Sequence, residues 1–195
     1  MRPTLALIRH CRSDADPQLP PATWGLTEVG HAQARALVSR FERDEVVAIA
    51  CGPEPKMTQS VAPLAQARDL VVDSHGAYAE SHSEGWLSAG RFDEAVAAFF
   101  RDPTIAPAPG WESADDAATR FLSAVGDLLA RHDGGTIAVC SGGRVLSAAL
   151  AQLGLIPPTQ VLAGWRRIQM PDVALIGFDA DQDPVLLRPF GDASR

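Results

Sequence analysis

Short unbroken apolar runs alternate along this chain with longer stretches in which apolar residues recur every three or four positions. The runs Thr4–Ile8, Val46–Ala50, Leu70–Val72 and Thr136–Cys140 have the length and composition of strands buried on both faces. After the first, Val29, Ala32, Ala36, Leu37 and Phe41 mark one face of a helix that Thr27 can cap. A second stripe, Met57, Val61 and Leu64, predicts a helix that Pro63 should kink or shorten. A capping box of Ser113 with Asp116 opens a third, carrying Ala117, Phe121, Val125, Leu128 and Leu129 and ended by Gly134-Gly135. Past the fourth strand, Ser141-Gly142-Gly143 turns directly into a helix over Arg144–Leu153, and Val173–Phe178 with Val185–Leu187 flank a turn and read as a closing antiparallel pair. Strands that alternate with helices in this way predict an α/β fold built from βαβ units around a mostly parallel sheet.

Residues 77–111 interrupt the rhythm. A loop rich in Ser, His and Gly leads into a short helix bearing Phe92, Val96, Phe99 and Phe100, and a Pro-rich loop follows. An excursion of that length from an α/β domain reads as a lid over the site, the rest of residues 1–195 forming a single domain.

Composition narrows the classes of partner. Of the 195 residues, 46% are hydrophobic and 21% charged, so a packed core is expected rather than disorder. The net charge of −7 argues against nucleic acid as a partner, which calls for a basic face. No apolar run approaches the ~18 residues of a membrane span, and the run Thr4–Ile8 meets Arg9 and His10 before it could serve as a secretory core; no membrane partner and a cytoplasmic location are expected. Nothing in the sequence bears on oligomeric state. The three cysteines, Cys11, Cys51 and Cys140, each fall at a strand's carboxyl end and read as small buried thiols, with a thiolate metal site the minor alternative.

Ligands of open α/β sheets bind beyond the carboxyl ends of the strands. That rule selects Arg9-His10-Cys11-Arg12-Ser13, Cys51-Gly52-Pro53-Glu54-Pro55-Lys56 and Cys140-Ser141-Gly142-Gly143-Arg144. Each segment holds a cation, and the last adds free amide groups at a helix start, so an anion pocket formed by Arg9, Lys56, Gly142, Gly143 and Arg144 is expected in an otherwise acidic protein. A neutral imidazole at His10, beside the guanidinium of Arg9, is placed to attack phosphorus.

Leu7-Ile8-Arg9-His10, then Leu26-Thr27-x-x-Gly30-x-x-Gln33-Ala34, then Glu112-Ser113 with Arg120, then Ser141-Gly-Gly before an apolar helix, together resemble the histidine phosphatase (phosphoglycerate mutase-like) superfamily over roughly positions 3 to 155. The resemblance implies a three-layer α/β/α sandwich and no metal or other cofactor. It makes His10 the nucleophile, Arg9 a phosphate clamp, and Glu80 the acid that protonates the leaving oxygen, with Glu84 a weaker candidate. The ligand it implies is a phosphorylated small molecule or inorganic phosphate.

The sequence also departs from that family. Lys56 stands where the family has a second arginine, which keeps the charge and loses the bidentate fork. Gly142 stands where a second histidine is expected, and losing one donor of that kind costs on the order of 3 kcal/mol in the transition state. Arg144, His75 and His82 are the candidates to replace it, and an imidazole restored by Gly142→His should raise the rate. Cys11 replaces a glycine beside the nucleophile. Two readings therefore stay open: a phosphomonoester phosphatase acting through phospho-His10, or a pseudo-phosphatase, a pseudoenzyme that binds a phosphorylated ligand without turnover.

Overall fold

The computed structural model describes residues 3–192. Six strands form one sheet in the order β3-β2-β4-β1-β5-β6, with β1 at Thr4–Arg9, β2 at Val46–Cys51, β3 at Val72–Ser74, β4 at Thr136–Ser141, β5 at Asp172–Phe178 and β6 at Pro184–Arg188. Strands β1 to β4 run parallel, while β5 lies antiparallel to β1 and pairs antiparallel with β6. The closing pair is thus a hairpin, and its first strand alone opposes the four parallel ones.

Alternation along the strands builds two cores. Ala6 and Ile8 of β1, Ile49 and Cys51 of β2, and Ala138 and Cys140 of β4 face one way, against Ala34 and Leu37 of α1 (Glu28–Arg40) and Met57, Val61 and Leu64 of α2 (Pro55–Arg68). Leu5, Leu7, Ile137 and Val139 face the other way, against Phe99 of α3 (Ala89–Arg101), Phe121 and Val125 of α4 (Ala114–Leu129) and Leu146 and Leu150 of α5 (Gly143–Gln152). This is the three-layer α/β/α arrangement, and it leaves the first residue after β1, His10, at the sheet's carboxyl edge.

Local chemistry sets most element boundaries. Thr27 caps α1 by accepting from Gly30 N at 3.0 Å, and Ser113 caps α4 by accepting from Asp116 N at 3.1 Å while donating to Asp116 Oδ2 at 2.7 Å. Four expectations shift. Strand β3 lies two residues later than the apolar run predicts, so Val71 is left exposed. Pro63 sits inside α2, which continues to Arg68. The missing N–H is offset by Met57, Val61 and Leu64, all fully buried on the same helix. Helix α4 ends at Leu129, ahead of Gly134-Gly135, whose positive φ angles instead turn the chain into β4. A short helix, α6 (Val161–Arg167), follows α5 without a periodic signal long enough to announce it. The three cysteines are free and buried; burial raises all three thiols, Cys51 to about 11.

Gly135 joins the two halves of the sheet: its carbonyl accepts from Thr4 N at 2.8 Å, at the start of the β1–β4 pairing. With φ at +74°, an added Cβ would lie 2.5 Å from Val47 Cγ1 and 2.8 Å from Glu45 O. Gly135→Ala is expected to destabilise the fold by about 1–3 kcal/mol, read as a lower denaturant midpoint at unchanged slope.

Candidate active site

A cavity of about 430 Å³ opens at the carboxyl ends of β1 and β4. Arg9, His10, Lys56, Glu80, Gly143 and Arg144 all line it, so the segments picked out by the sheet rule converge. Gly142 does not line it. Nor do the rival residues: His75 is exposed and its Nδ1 accepts from Ala77 N at 3.1 Å, while His82 Nε2 lies 3.7 Å from Glu84 Oε1 with both side chains exposed. Among the described residues His10 is the one histidine at the cavity wall.

His10 is 7% exposed, with Nδ1 2.8 Å from the Cys11 carbonyl oxygen. A carbonyl can only accept, so Nδ1 carries the proton and Nε2 keeps its lone pair. Burial, aided by the charges of Lys56 and Arg9, lowers the imidazole pKa to about 4 against the opposing pull of the Cys11 hydrogen bond and Glu80. The ring is thus neutral at ordinary pH, the form a nucleophile requires.

Arg9 donates from Nη1 to Ile168 O at 2.6 Å, which fixes its plane, while its Nε is buried without a partner. A Cβ built on Gly143 would lie 3.3 Å from Arg9 Nε and 3.3 Å from Trp165 Nε1. Two N–H donors therefore converge over a bare α-carbon, and any larger residue at 143 would crowd both of them. Lys56 is buried, and its ammonium donates to Pro21 O at 2.7 Å.

The corner where the resemblance places a second imidazole is filled by a carboxylate. Glu80 Oε1 accepts from Ser81 N and Val145 N, both at 2.8 Å, and Oε2 accepts from Arg144 N at 3.1 Å with Arg144 Nε 3.8 Å away. The first amides of α5, expected from the sequence to be open to an external anion, are thereby occupied by an internal one. Burial pushes the Glu80 carboxyl upward, but the Arg144 guanidinium and three backbone N–H donors outweigh it and hold the pKa below the usual carboxylate range. Glu80 is thus kept ionised, a poor state for the proton donor that the resemblance makes of it. Gly142 packs against it: a Cβ there would fall 2.1 Å from Glu80 Oε2. Arg144 does not swing into that corner as an open cation either. Its Nη2 donates to Ser81 O at 2.9 Å and Ser83 Oγ at 3.1 Å, and its guanidinium lies over the Trp111 ring at 4.6 Å.

Other contacts set the position of Glu80. Its own N–H donates to Glu54 Oε1 at 3.1 Å, and burial raises the Glu54 carboxyl, whose Oε2 is buried without a partner. Arg120 pairs with Glu112 at 2.8 Å and donates from Nη1 to Ala77 O at 2.8 Å, and Glu112 also accepts from His82 N at 3.0 Å. This pair explains in physical terms the Glu112 and Arg120 match in the sequence, because it clamps the segment that carries Glu80.

Sequence reasoning missed the other wall. Trp24, Trp86, Trp111 and Trp165 all line the cavity, with Phe92 beside them. They come from four separate loops and helices, and no local spacing relates them.

The sequence profile of the histidine phosphatase superfamily (branch 1) matches residues 5–189. Mycobacterial glucosyl-3-phosphoglycerate phosphatase superposes with a TM-score of 0.81 at 20% identity, covering 98% of this chain and 100% of the other, and has also been solved with inorganic phosphate and with vanadate. YhfR from Bacillus stearothermophilus gives a TM-score of 0.80 at 22% identity over 98% of both chains. Entamoeba histolytica phosphoserine phosphatase in complex with 3-phosphoglyceric acid gives 0.73 at 17% identity, covering 97% of this chain and 98% of its own. At these identities the likeness is one of fold. No curated protein sequence matches the chain significantly.

Two outcomes follow from the Glu80 contacts. Because its folded pKa is lowered, Glu80 stabilises the fold above the ordinary carboxylate range, and that contribution is lost as pH falls through the lowered value. Glu80→Gln is expected to cost about 1–3 kcal/mol at neutral pH, with the gap to wild type narrowing in acid urea titrations. A gap independent of pH would mean that the charge of Glu80 contributes nothing. Gly142→His, which the sequence alone recommends as a repair, is instead expected to lower Tm, because the new side chain must displace the Glu80 carboxylate.

Proposed function

The chain belongs to the histidine phosphatase superfamily, and from that premise we propose that it hydrolyses phosphomonoesters through a phosphorylated His10. The observation that carries this reading is the His10 tautomer: Nδ1–H is tied to the Cys11 carbonyl, and a neutral Nε2 is left in a cavity also lined by Arg9, Lys56 and Arg144.

The first step forms the P–N bond from the Nε2 lone pair as the P–O bond to the alcohol breaks. The Arg9 guanidinium and Trp165, both at the cavity wall, stabilise the equatorial oxygens. In the second step water attacks phosphorus, the P–N bond breaks, and inorganic phosphate leaves with His10 restored. Metal and cofactor have no assigned place in this scheme. Lys56 adds charge without a bidentate grip, and its bond to Pro21 O limits its reach. Segment 77–111 acts as the cover of the site: Glu80, Ser83, Trp86, Phe92 and Trp111 all belong to it and line the cavity.

Glu80 bears on what leaves well. A carboxylate kept ionised by α5 and Arg144 does not readily supply a proton at neutral pH, so the departing oxygen must carry its charge or take a proton from water. The rate should fall as the alcohol becomes more basic. The same observation favours a second reading, in which the protein binds a phosphorylated ligand and does not turn it over.

Intact mass spectrometry after incubation with acetyl phosphate, quenched in alkali, separates the two. Gain of one phosphoryl group in wild type and none in His10→Ala is the expected result. Anion binding by calorimetry with no phosphoryl gain would replace hydrolysis with the binding-only reading. Since His10 is protonated only near pH 4, phosphoryl uptake should persist as the pH falls from neutral and decline below about 4.

A further inference from the structure

The aromatic residues of this chain are distributed very unevenly. It has four tryptophans, and every one lines the cavity at His10. They arrive from unconnected places: Trp24 from the β1–α1 loop, Trp86 and Trp111 from the segment between β3 and α4, and Trp165 from α6. A core does not need this. The two cores of the sheet are filled by aliphatic residues with Phe41, Phe99, Phe121 and Tyr78, and contain no tryptophan apart from the cavity wall.

The rings pack against one another in two groups along the cavity wall. Trp24 and Trp86 lie 5.8 Å apart and inclined at 59°, and Phe92 lies 6.0 Å from Trp111 and 6.3 Å from Trp165. Trp24 is held by hydrogen bonds from Nε1 to Asp16 O at 3.1 Å and Leu19 O at 3.2 Å, so its ring is set before any ligand arrives. Trp86 is 50% exposed, a large apolar surface left in water at the mouth of a pocket. The cations sit deeper, at Arg9, Lys56 and the buried guanidinium of Arg144, which is stacked on Trp111.

We propose that the site takes phosphomonoesters of aromatic alcohols, with the phosphoryl head against Arg9 and His10 and the ring of the alcohol laid on the cavity-facing side of the tryptophan wall. The inference rests on the phosphohydrolase reading above and adds the class of substrate. Flat, partly preset aromatic walls bind a planar ring by offset and edge-to-face contacts at small entropic cost, whereas a polyhydroxylated or zwitterionic alcohol would strip water from its polar groups and find few partners there. An aromatic alcohol of the phenol type also leaves as a weakly basic oxyanion, which suits a site whose carboxylate is kept ionised.

The test compares phenylphosphonate with methylphosphonate, two non-hydrolysable anions that share a head and differ in the ring, by calorimetry and by quenching of tryptophan fluorescence. Phenylphosphonate is expected to bind at least about tenfold more tightly and to quench the emission. Trp86→Ala should reduce that ratio severalfold and Trp86→Phe should restore most of it; position 86 is half exposed, so neither change threatens the fold. Equal affinities in wild type, or a ratio unchanged in Trp86→Ala, overturn the aromatic class. If equal affinities accompany phosphoryl uptake from acetyl phosphate, the hydrolase reading stands and the substrate class alone is lost. If neither phosphonate binds and no phosphoryl group is taken up, both are lost.

Discussion

The carboxylate of Glu80, seated on the opening amides of α5, constrains the site more tightly than any other contact. A helix start that follows two glycines presents N–H groups with nothing to accept them, and the end of the helix dipole draws negative charge there. In this chain the acceptor is supplied from within. Three N–H groups and one guanidinium fix the side chain, and the consequences spread outward. Residue 142 has no room for a Cβ, Arg144 is turned toward Ser81 and Ser83, and the backbone of 79–81 is fixed relative to β4. Each of these would otherwise be an independent puzzle about a degenerate motif. Together they are one interaction between a loop and a helix end.

That interaction divides the labour among the charged groups. The amides of α5 and Arg144 are engaged with Glu80, so on the proposed reading a phosphoryl group must rely on other donors. Arg9 and Trp165, which approach each other over Gly143, line the cavity and are not drawn to Glu80 by any hydrogen bond. Of the two glycines, then, 142 makes room for a carboxylate and 143 makes room for donors. The imidazole is kept neutral by burial among cations, which suits attack on phosphorus, and its orientation is fixed by the shortest side-chain reach available, to the carbonyl of the next residue. Cys11 in the usual glycine's place does not disturb this, because its thiol points into the core with Cys51 and Cys140, and its N–H donates to Ser60 Oγ at 2.8 Å.

How much of this was legible in the sequence depends on the range of the information. Alternation and caps are local, so β1, β2, β4, α1 and α4 could be read within a few residues, and the Thr27 and Ser113 caps sit where the spacing puts them. Strand β3 slipped because Val71 and Val72 are equally apolar and only pairing with Ile49 decides which is buried. The convergence of Arg9, His10, Lys56 and Glu80 was readable because all four follow from one rule about strand ends and one motif order. The fate of α5's amides was not, since no pattern tells that a carboxylate more than sixty residues upstream will reach them. Glu54 escaped notice for a similar reason: its significance lies in a bond to the Glu80 amide, a contact between two loops.

The tryptophans show where such reading stops. Each, taken singly, looks like an ordinary apolar residue in a loop or short helix, and their spacing of 62, 25 and 54 residues carries no period. Only the fold reveals that four distant segments deliver their largest side chains to one opening. The polar half of the cavity is set by strand ends that every member of this fold must have, and so it speaks to reaction type. The aromatic half comes from connections that the sheet leaves free to vary, where specificity is built in α/β proteins. On the proposed reading, a cavity with an ionised Glu80 and an aromatic wall shifts the burden of selecting its ligand from proton transfer to the shape and leaving ability of the alcohol. The corner of Glu80 and the indole wall are physically joined at Arg144, which pairs with Glu80 on one side and stacks on Trp111 on the other.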